Sequence, residues 1–429
     1  MCRKLIFNSI ISSITTLLKD AEFLSAFRFP GRFTRSGKLS MIAVILFLLN
    51  STKQKMDTNI DNLWDTGYTD FPRDISRQAV SKARHGIRPE LFSTLFDLSV
   101  DIFYNEFCDG KNLWKGKYGV FGIDGSKIEV PNSKSNFEKF GEMFSRNNPN
   151  RRWSQALLST IYDVSNDFIA HAVLKPFLGS ERDAAISHCE ELERTGILGS
   201  NSILVFDRGY YSEAIFRYFH SKGYLCVMRL QERIGLSKRS KGDSQDVLKG
   251  NPKEETEDIP IRVIRTGLGN GVTEYLATNI FDKSLGINDF KELYFLRWGC
   301  EGKYRELKCQ VCLEEFVGYS SISVEQEVFI SLLYSNLASL VKNQADKEIE
   351  ASANPENKYR YQANRAYIIG RIRTVFVHAL LGLAGEEDIS HIFSKAARVK
   401  SQIQPGRSRT RNKMKRDRAH FNNRKACFA

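Results

Sequence analysis

Apolar positions change character twice along the chain. Up to about residue 110 they fall in helical stretches. Leu39–Leu49 reads as a buried helix. Ser76–Arg84 (SRQAVSKAR) and then Pro89–Phe96 read as two short helices with Gly86 between them, a pattern compatible with a helix-turn-helix-like unit. From residue 117 short apolar runs take over. Tyr118–Asp124 predicts a strand ending at an acid, with Gly125 able to turn the chain straight after it. Ser133–Arg152, polar and rich in Asn, predicts a loop. Ala156–Val164 and Phe168–Leu174 predict strands joined by the turn cluster Ser165-Asn166-Asp167. Ser180 to Asp183 opens a helix with a capping-box-like pattern, running to about Arg194 and closed by Gly196 or Gly199. Ile203–Phe206 is then an apolar strand with Asp207 at its end.

Beyond it, Ser212–His220 predicts a helix. Tyr224–Leu230, Ile261–Arg265 and Glu274–Thr278 carry β-formers around a charged stretch from Glu232 to Asp258, so 224–280 reads as a β-rich insertion. Helical character returns at Asp289, and Val324–Val341 and Arg365–Leu383 predict amphipathic helices. No internal repeat is visible. The order β-β-β-α-β, with acids on the first and fourth strands and a third acid on a later helix, is an RNase H-like layout. The expected organisation is α/β: a helical region over 1–112, an RNase H-like core with its β-rich insertion over 113–340, a helical region over 341–400 and a basic tail over 401–429.

Composition narrows this picture. At 429 residues, 42% hydrophobic and 26% charged, the chain is ordinary globular material and longer than one compact domain usually is. Its longest apolar run, Met41–Leu49, is too short to span a bilayer. The N-terminal segment is broken by Asn8, Ser9, Ser12, Ser13 and Lys19 and makes a poor signal peptide. An intracellular protein is expected. Cys309-x2-Cys312 has no partner pair at zinc-site spacing and the histidines are dispersed, so a metal here would be held by carboxylates, favouring Mg²⁺ or Mn²⁺. The net charge of +13 points to a polyanionic partner. Residues 401–429 alone hold nine Lys/Arg against Asp417, a net +8, in a segment without apolar period that is expected to be disordered and to contact phosphates.

Three acids carry the candidate chemistry: Asp124 in FGIDGSK, Asp207 in LVFDRGYYS and Glu301 in YFLRWGCEGKYRELK. Brought together, three such carboxylates suit two divalent ions and phosphoryl transfer. The third segment reads Tyr294-x2-Arg297-x3-Glu301-x6-Lys308. On a helix these fall at about 0°, 300°, 340° and 320°, one narrow stripe, while Leu293, Leu296, Leu307 and Val311 fall at roughly 200–260° on a face that can pack on a core. Trp298 lies beside the stripe at about 40°. A carboxylate flanked by a guanidinium, an ammonium and a phenol suits a metal beside a phosphate.

The Y-x2-R-x3-E-x6-K signature resembles that of the insertion-sequence-4 family of DDE transposases without a gap. Asp207-Arg208-Gly209-Tyr210 and Ile123-Asp124-Gly125-Ser126 are similar to that family's segments around its second and first Asp. The spacings of 83 and 94 residues between the acids also resemble it. The resemblance spans roughly residues 30–425. It implies an enzyme that binds the ends of its insertion sequence, cleaves the DNA and joins 3′-hydroxyl ends to target DNA. Asp124, Asp207 and Glu301 would ligate two Mg²⁺ or Mn²⁺ ions. Tyr294, Arg297 and Lys308 would hold the opposite strand near a flipped base and support a hairpin intermediate. Arg208 would orient Asp207 or contact DNA. Trp298 is the first candidate to receive the base, ahead of Tyr210 and Tyr211.

The implied partners are double-stranded DNA and a second copy of the chain in a synaptic complex, with no membrane, in a bacterial cytoplasm at the nucleoid. The N-terminal region would bind the element ends, with Lys82, Arg84 and Arg88 as candidate contacts. Three other readings stay open: an RNase H-like nuclease without strand transfer, a catalytically silent DNA-binding derivative, and a glycosidase with paired carboxylates, which the basic charge disfavours.

Overall fold

The computed structural model describes residues 3–35, 37–106, 111–145, 148–251, 255–268 and 272–403. Almost all of the basic tail expected from residue 401 lies outside them.

The chain opens with six helices, α1 (Arg3–Lys19), α2 (Ala21–Ala26), α3 (Met41–Asn50), α4 (Met56–Trp64), α5 (Arg77–Arg84) and α6 (Glu90–Asp101), the last running into a π turn at Ile102–Glu106. Helix α3 is apolar on all sides because all sides are covered: Met41 and Ala43–Asn50 are buried, and Ser40 Oγ accepts from the amide of Ala43 at its start. Helices α5 and α6 flank Gly86 as the sequence pattern predicts.

The central sheet begins with β1 (Gly119–Val130), followed by α7 (Lys134–Phe140), β2 (Met143–Ser145), β3 (Asn148–Asp163), β4 (Phe168–Pro176), α8 (Glu181–Arg194), β5 (Ser202–Phe206), α9 (Glu213–Ser221) and β6 (Leu225–Arg229). Next come α10 (Gly235–Arg239), β7 (Asp243–Leu248), β8 (Ile259–Leu268) and β9 (Val272–Thr278). Helices α11 (Ile287–Leu296), α12 (Trp298–Cys309), α13 (Ser321–Ala351), α14 (Arg365–Leu380) and α15 (Glu386–Arg398) complete the chain, with a small ribbon of β10 (Arg360–Ala363) and β11 (Lys400–Ile403).

Strand order is β2-β3-β1-β5-β6-β9-β8-β7, with β4 paired to β3. β1, β5 and β6 run parallel, while β3 is antiparallel to both β1 and β4. This is the RNase H-like arrangement expected from the element order. The β-rich insertion extends the same sheet, because β9 pairs antiparallel with β6 and carries β8 and β7 outward.

Two local expectations are corrected. β1 does not end at Asp124, and Gly125 makes no turn: the strand continues to Val130, paired with β3 from Phe121↔Asp163 to Val130↔Ser154. What ends beside Asp124 is the parallel pairing with β5, whose last pair is Ile123↔Phe206. The stretch from Ser133 to Arg152 is not a loop. Ser133 Oγ accepts from the Asn136 amide to start α7, which buries Asn136 and Phe140, and β2 pairs with the first part of β3. Polar composition hid the two core-facing positions.

Helix α13 is the spine of the helical layer. It is buried along most of its length against α1, α6, α14 and α15, and the domain boundary expected at 340 falls inside it. Asn336 on α13 accepts from the Ile169 amide and donates to the Ile169 carbonyl, both at 2.9 Å, so it satisfies backbone groups on β4. Arg84, expected as a DNA contact, is instead 1% exposed. Its guanidinium donates to Gln326 and Glu327 and joins α5 to α13.

Candidate active site

Parallel strands lie about 4.8 Å apart. Because Ile123 pairs with Phe206, Asp124 and Asp207 are each the next residue along on neighbouring strands. The sequence placed an acid after each apolar run, and the register brings those two positions side by side. Asp124 Oδ1 accepts from the Gly125 amide at 2.9 Å. Burial pushes its carboxyl up to about 6; the Gly125 amide and Arg297 oppose this, and the charges of Glu181 and Asp207 add to it. Asp207 accepts from the Tyr294 hydroxyl at 3.4 Å.

Glu301 lies in the first turn of α12, and α11 and α12 meet at Arg297. The helical stripe is real, with a small break at its guanidinium. Leu293 and Leu307 are buried as their angles predict and Leu296 is half-buried, while Val311 is buried just past the end of α12. Two contacts seat α12 on the sheet. A Cβ at Gly122 would collide with Cys300 Sγ, so a glycine on β1 lets the helix approach. The Tyr304 hydroxyl, one turn after Glu301, lies 2.9 Å from the carbonyls of both Asp124 and Leu158 and accepts from Thr160 at 3.1 Å. Tyr304 therefore fixes the Glu301 helix to the Asp124 backbone. The helical stripe does not single out Tyr304, although its i+3 spacing from Glu301 is a usable signal.

Arg297 is the charge at the centre. It is 3% exposed and its Nη2 donates to Glu301 at 3.2 Å, while its Nε has no partner. Burial opposes its charge, but Tyr294, Asp207 and Glu301 outweigh burial and keep it protonated. Tyr294 is also buried. Lys308 donates to the Lys127 carbonyl at 2.6 Å and pairs with Glu314 at 3.3 Å, at the far end of the stripe. Trp298 is 47% exposed with the Arg297 guanidinium 4.8 Å over its ring, and Arg208 is exposed. The sheet and α11–α12 thus bring Asp124, Asp207, Tyr294, Arg297 and Glu301 together, with Trp298 at the rim.

Whether a metal suits these residues turns on their donors. Hard carboxylate oxygens are the right type for Mg²⁺ or Mn²⁺. Among the described residues, no three acidic, imidazole or thiol groups already converge as a finished ion site. Arg297 stands among the acids as their counter-ion. The residues fit divalent ions, provided the Arg297–Glu301 contact yields.

Behind the site, Lys303 reaches Asp167 at 2.6 Å and Glu306 at 3.3 Å, and Arg365 reaches the same two acids at 3.0 and 2.8 Å. This buried network ties α12 to α14 and to the β3–β4 turn.

An RNase H-like sheet with two adjacent aspartates and a glutamate-bearing helix packed beside them defines a class of carboxylate-centred nucleic-acid enzymes. Within it the chain belongs to the DDE transposases: the family model described as Transposase DDE domain matches residues 115–337, just over half of the 429 residues. As such it is a metal-dependent enzyme that cuts DNA and transfers strands. Among solved structures, the chain is similar to the piggyBac transposase in a synaptic complex with hairpin DNA, at 12% identity and a TM-score of 0.45, covering 95% of this chain and 87% of that one. No curated protein matches it. Among the described residues no helix is long and apolar enough to cross a membrane.

Proposed function

We propose that this transposase acts on the ends of an insertion sequence of the insertion-sequence-4 type, cutting there and joining the freed 3′-hydroxyl to target DNA. The observation that supports the site assignment is the register that sets Asp124 beside Asp207, with the helix that carries Glu301 tied to the Asp124 backbone through Tyr304. Asp124, Asp207 and Glu301 would hold the divalent ions, two per site. Such ions activate the attacking oxygen and stabilise the leaving one. The chain's own residues do the rest. Tyr294 orients Asp207 through its hydroxyl. Arg297 neutralises the acids and, released from Glu301, can meet phosphate bidentately. Lys308 and Arg208 supply further cations at the edges.

A hairpin route is supported by a cavity of about 430 Å³ lined by Arg229, Glu274, Tyr294, Phe295 and Trp298. Its two aromatic rim residues, Phe295 and Trp298, are 70% and 47% exposed, as a surface receiving an extruded base requires. The N-terminal region is assigned to DNA binding through a second cleft of about 1190 Å³. There Arg77, Gln78 and Lys82 on one face of α5 line up with Lys55 and Lys134. A second copy in the synaptic complex and a bacterial, nucleoid-associated setting are part of the same proposal, as is the division at 112 and 400.

Arg297→Ala and Lys308→Ala test the clamp. End-labelled duplex carrying the element terminus should give accumulated nicks and no hairpin ends on a denaturing gel. Normal hairpin yield from both variants would remove the clamp. Joining of labelled ends to a target plasmid separates a transposase from a hydrolytic nuclease: ends that are cut but never joined would contradict strand transfer.

A further inference from the structure

The first turn of α8 reaches the catalytic edge from the side opposite α12. Arg182 Nη2 donates to the carbonyls of Gly209 and Tyr211, both at 3.1 Å, and so pins this turn to the segment that follows Asp207. Its neighbour Glu181 lies over β1: a Cβ at Gly125 would sit 3.1 Å from Glu181 Cγ and 3.2 Å from its Oε1. The absent side chain at Gly125 is the space that the Glu181 carboxylate fills. Glu181 thus stands over the residue after Asp124 and beside the residues after Asp207. Side-chain exposure at α8's start leaves it reachable from solvent.

A second observation points the same way. Tyr210, three residues after Asp207, is 2% exposed, and its hydroxyl has no partner. A buried, unpaired hydroxyl costs about 1–3 kcal/mol unless something completes it. Its own amide donates to the Asp207 carbonyl at 3.1 Å, which holds this residue against the second aspartate.

We infer that Glu181 is a fourth ligating carboxylate of this site and that Tyr210 is the positioning donor that fixes the ligand cluster once an ion is bound. This rests on the assignment of Asp124, Asp207 and Glu301 as ligands. In the sequence, Glu181 stands only within the capping-box-like SERD start of a helix.

The test is Mn²⁺ binding by the full chain without DNA, read from the free-Mn²⁺ signal in electron paramagnetic resonance, with apo melting temperature measured alongside. Glu181→Gln should weaken Mn²⁺ binding by about tenfold or more, whereas Asp183→Asn, which removes the same charge from the same helical turn, should change it by less than about twofold. Tyr210→Phe should weaken Mn²⁺ binding several-fold while its apo melting temperature stays equal or rises, since the hydroxyl removed has no partner. Equal losses in Glu181→Gln and Asp183→Asn would reduce Glu181 to a distant charge and overturn the inference. Unchanged binding in Tyr210→Phe would overturn the role of Tyr210. Asp207→Asn separates the levels: if it binds Mn²⁺ weakly while Glu181→Gln binds normally, only the fourth ligand fails. If Asp207→Asn binds normally, the three-acid site itself fails.

Discussion

Single residues here act through what they touch on the sheet. Tyr304 joins the Glu301 helix to the Asp124 carbonyl. Tyr304→Phe keeps the ring packed but removes the hydroxyl's one donated hydrogen bond and the bond it accepts from Thr160, so it should cost about 1–3 kcal/mol in stability. It should also lower cleavage more than it lowers DNA binding. Equal losses in both would show a global defect. Asp167 gives a pH signature. Burial raises its carboxyl, but Lys303 and Arg365 outweigh burial and hold it well below the usual carboxylate range. A depressed folded value means that its stabilisation is full above the unfolded value of about 4 and is lost as pH falls below it. Asp167→Asn should therefore flatten the fall in melting temperature below about pH 4, relative to wild type. An unchanged acid limb would show that the ion pairs contribute nothing net.

At the scale of elements, the approach of α12 to β1 depends on one glycine. Gly122→Ala would drive a methyl into Cys300 Sγ and should destabilise by about 1–3 kcal/mol while displacing Glu301. Cys300→Ala in the same chain removes the colliding atom and should restore most of both stability and cleavage, a coupling that a double-mutant cycle reads directly. Simple additivity would show that the two side chains do not meet.

Elements were also where the sequence was most legible. Short apolar runs bounded by turn residues gave β4, β5 and the second half of β3, the SERD start gave α8, and the stripe gave α11–α12, because each signal is local. Three features were not legible. The continuation of β1 past Asp124 is set by pairing with a distant strand, β3. Helix α7 hides its two core positions in a polar stretch. The place of Arg84 depends on α13, more than two hundred residues away. The acids themselves were found because strand ends and a helical stripe can be read one segment at a time. Tyr304, Glu181 and Tyr210 needed the packing of α8 and α12 across the sheet.

For the whole molecule, charge and topology point to one partner. The chain carries a net +13. Lys55, Arg77, Lys82 and Lys134 line the larger cleft beside Asp57 and Glu138, and nine cations lie beyond residue 400, in a segment outside the described residues. Deleting 405–429 should weaken DNA binding for all sequences and lessen the slope of log affinity against log salt, because each lost phosphate contact releases about 0.9 fewer counterions. An unchanged slope would take the tail off the DNA. The central claim is that Asp124, Asp207 and Glu301 form one metal-dependent DNA-cutting site. The most direct measurement is cleavage of end-labelled element-terminus duplex in Mg²⁺ or Mn²⁺ by wild type and by Asp124→Asn, Asp207→Asn and Glu301→Gln, with duplex affinity measured on the same preparations. Each variant should bind within about threefold of wild type and cut at least about a thousandfold more slowly, the loss of about 4 kcal/mol in transition-state stabilisation. Cutting at the wild-type rate by any one of the three would contradict the site.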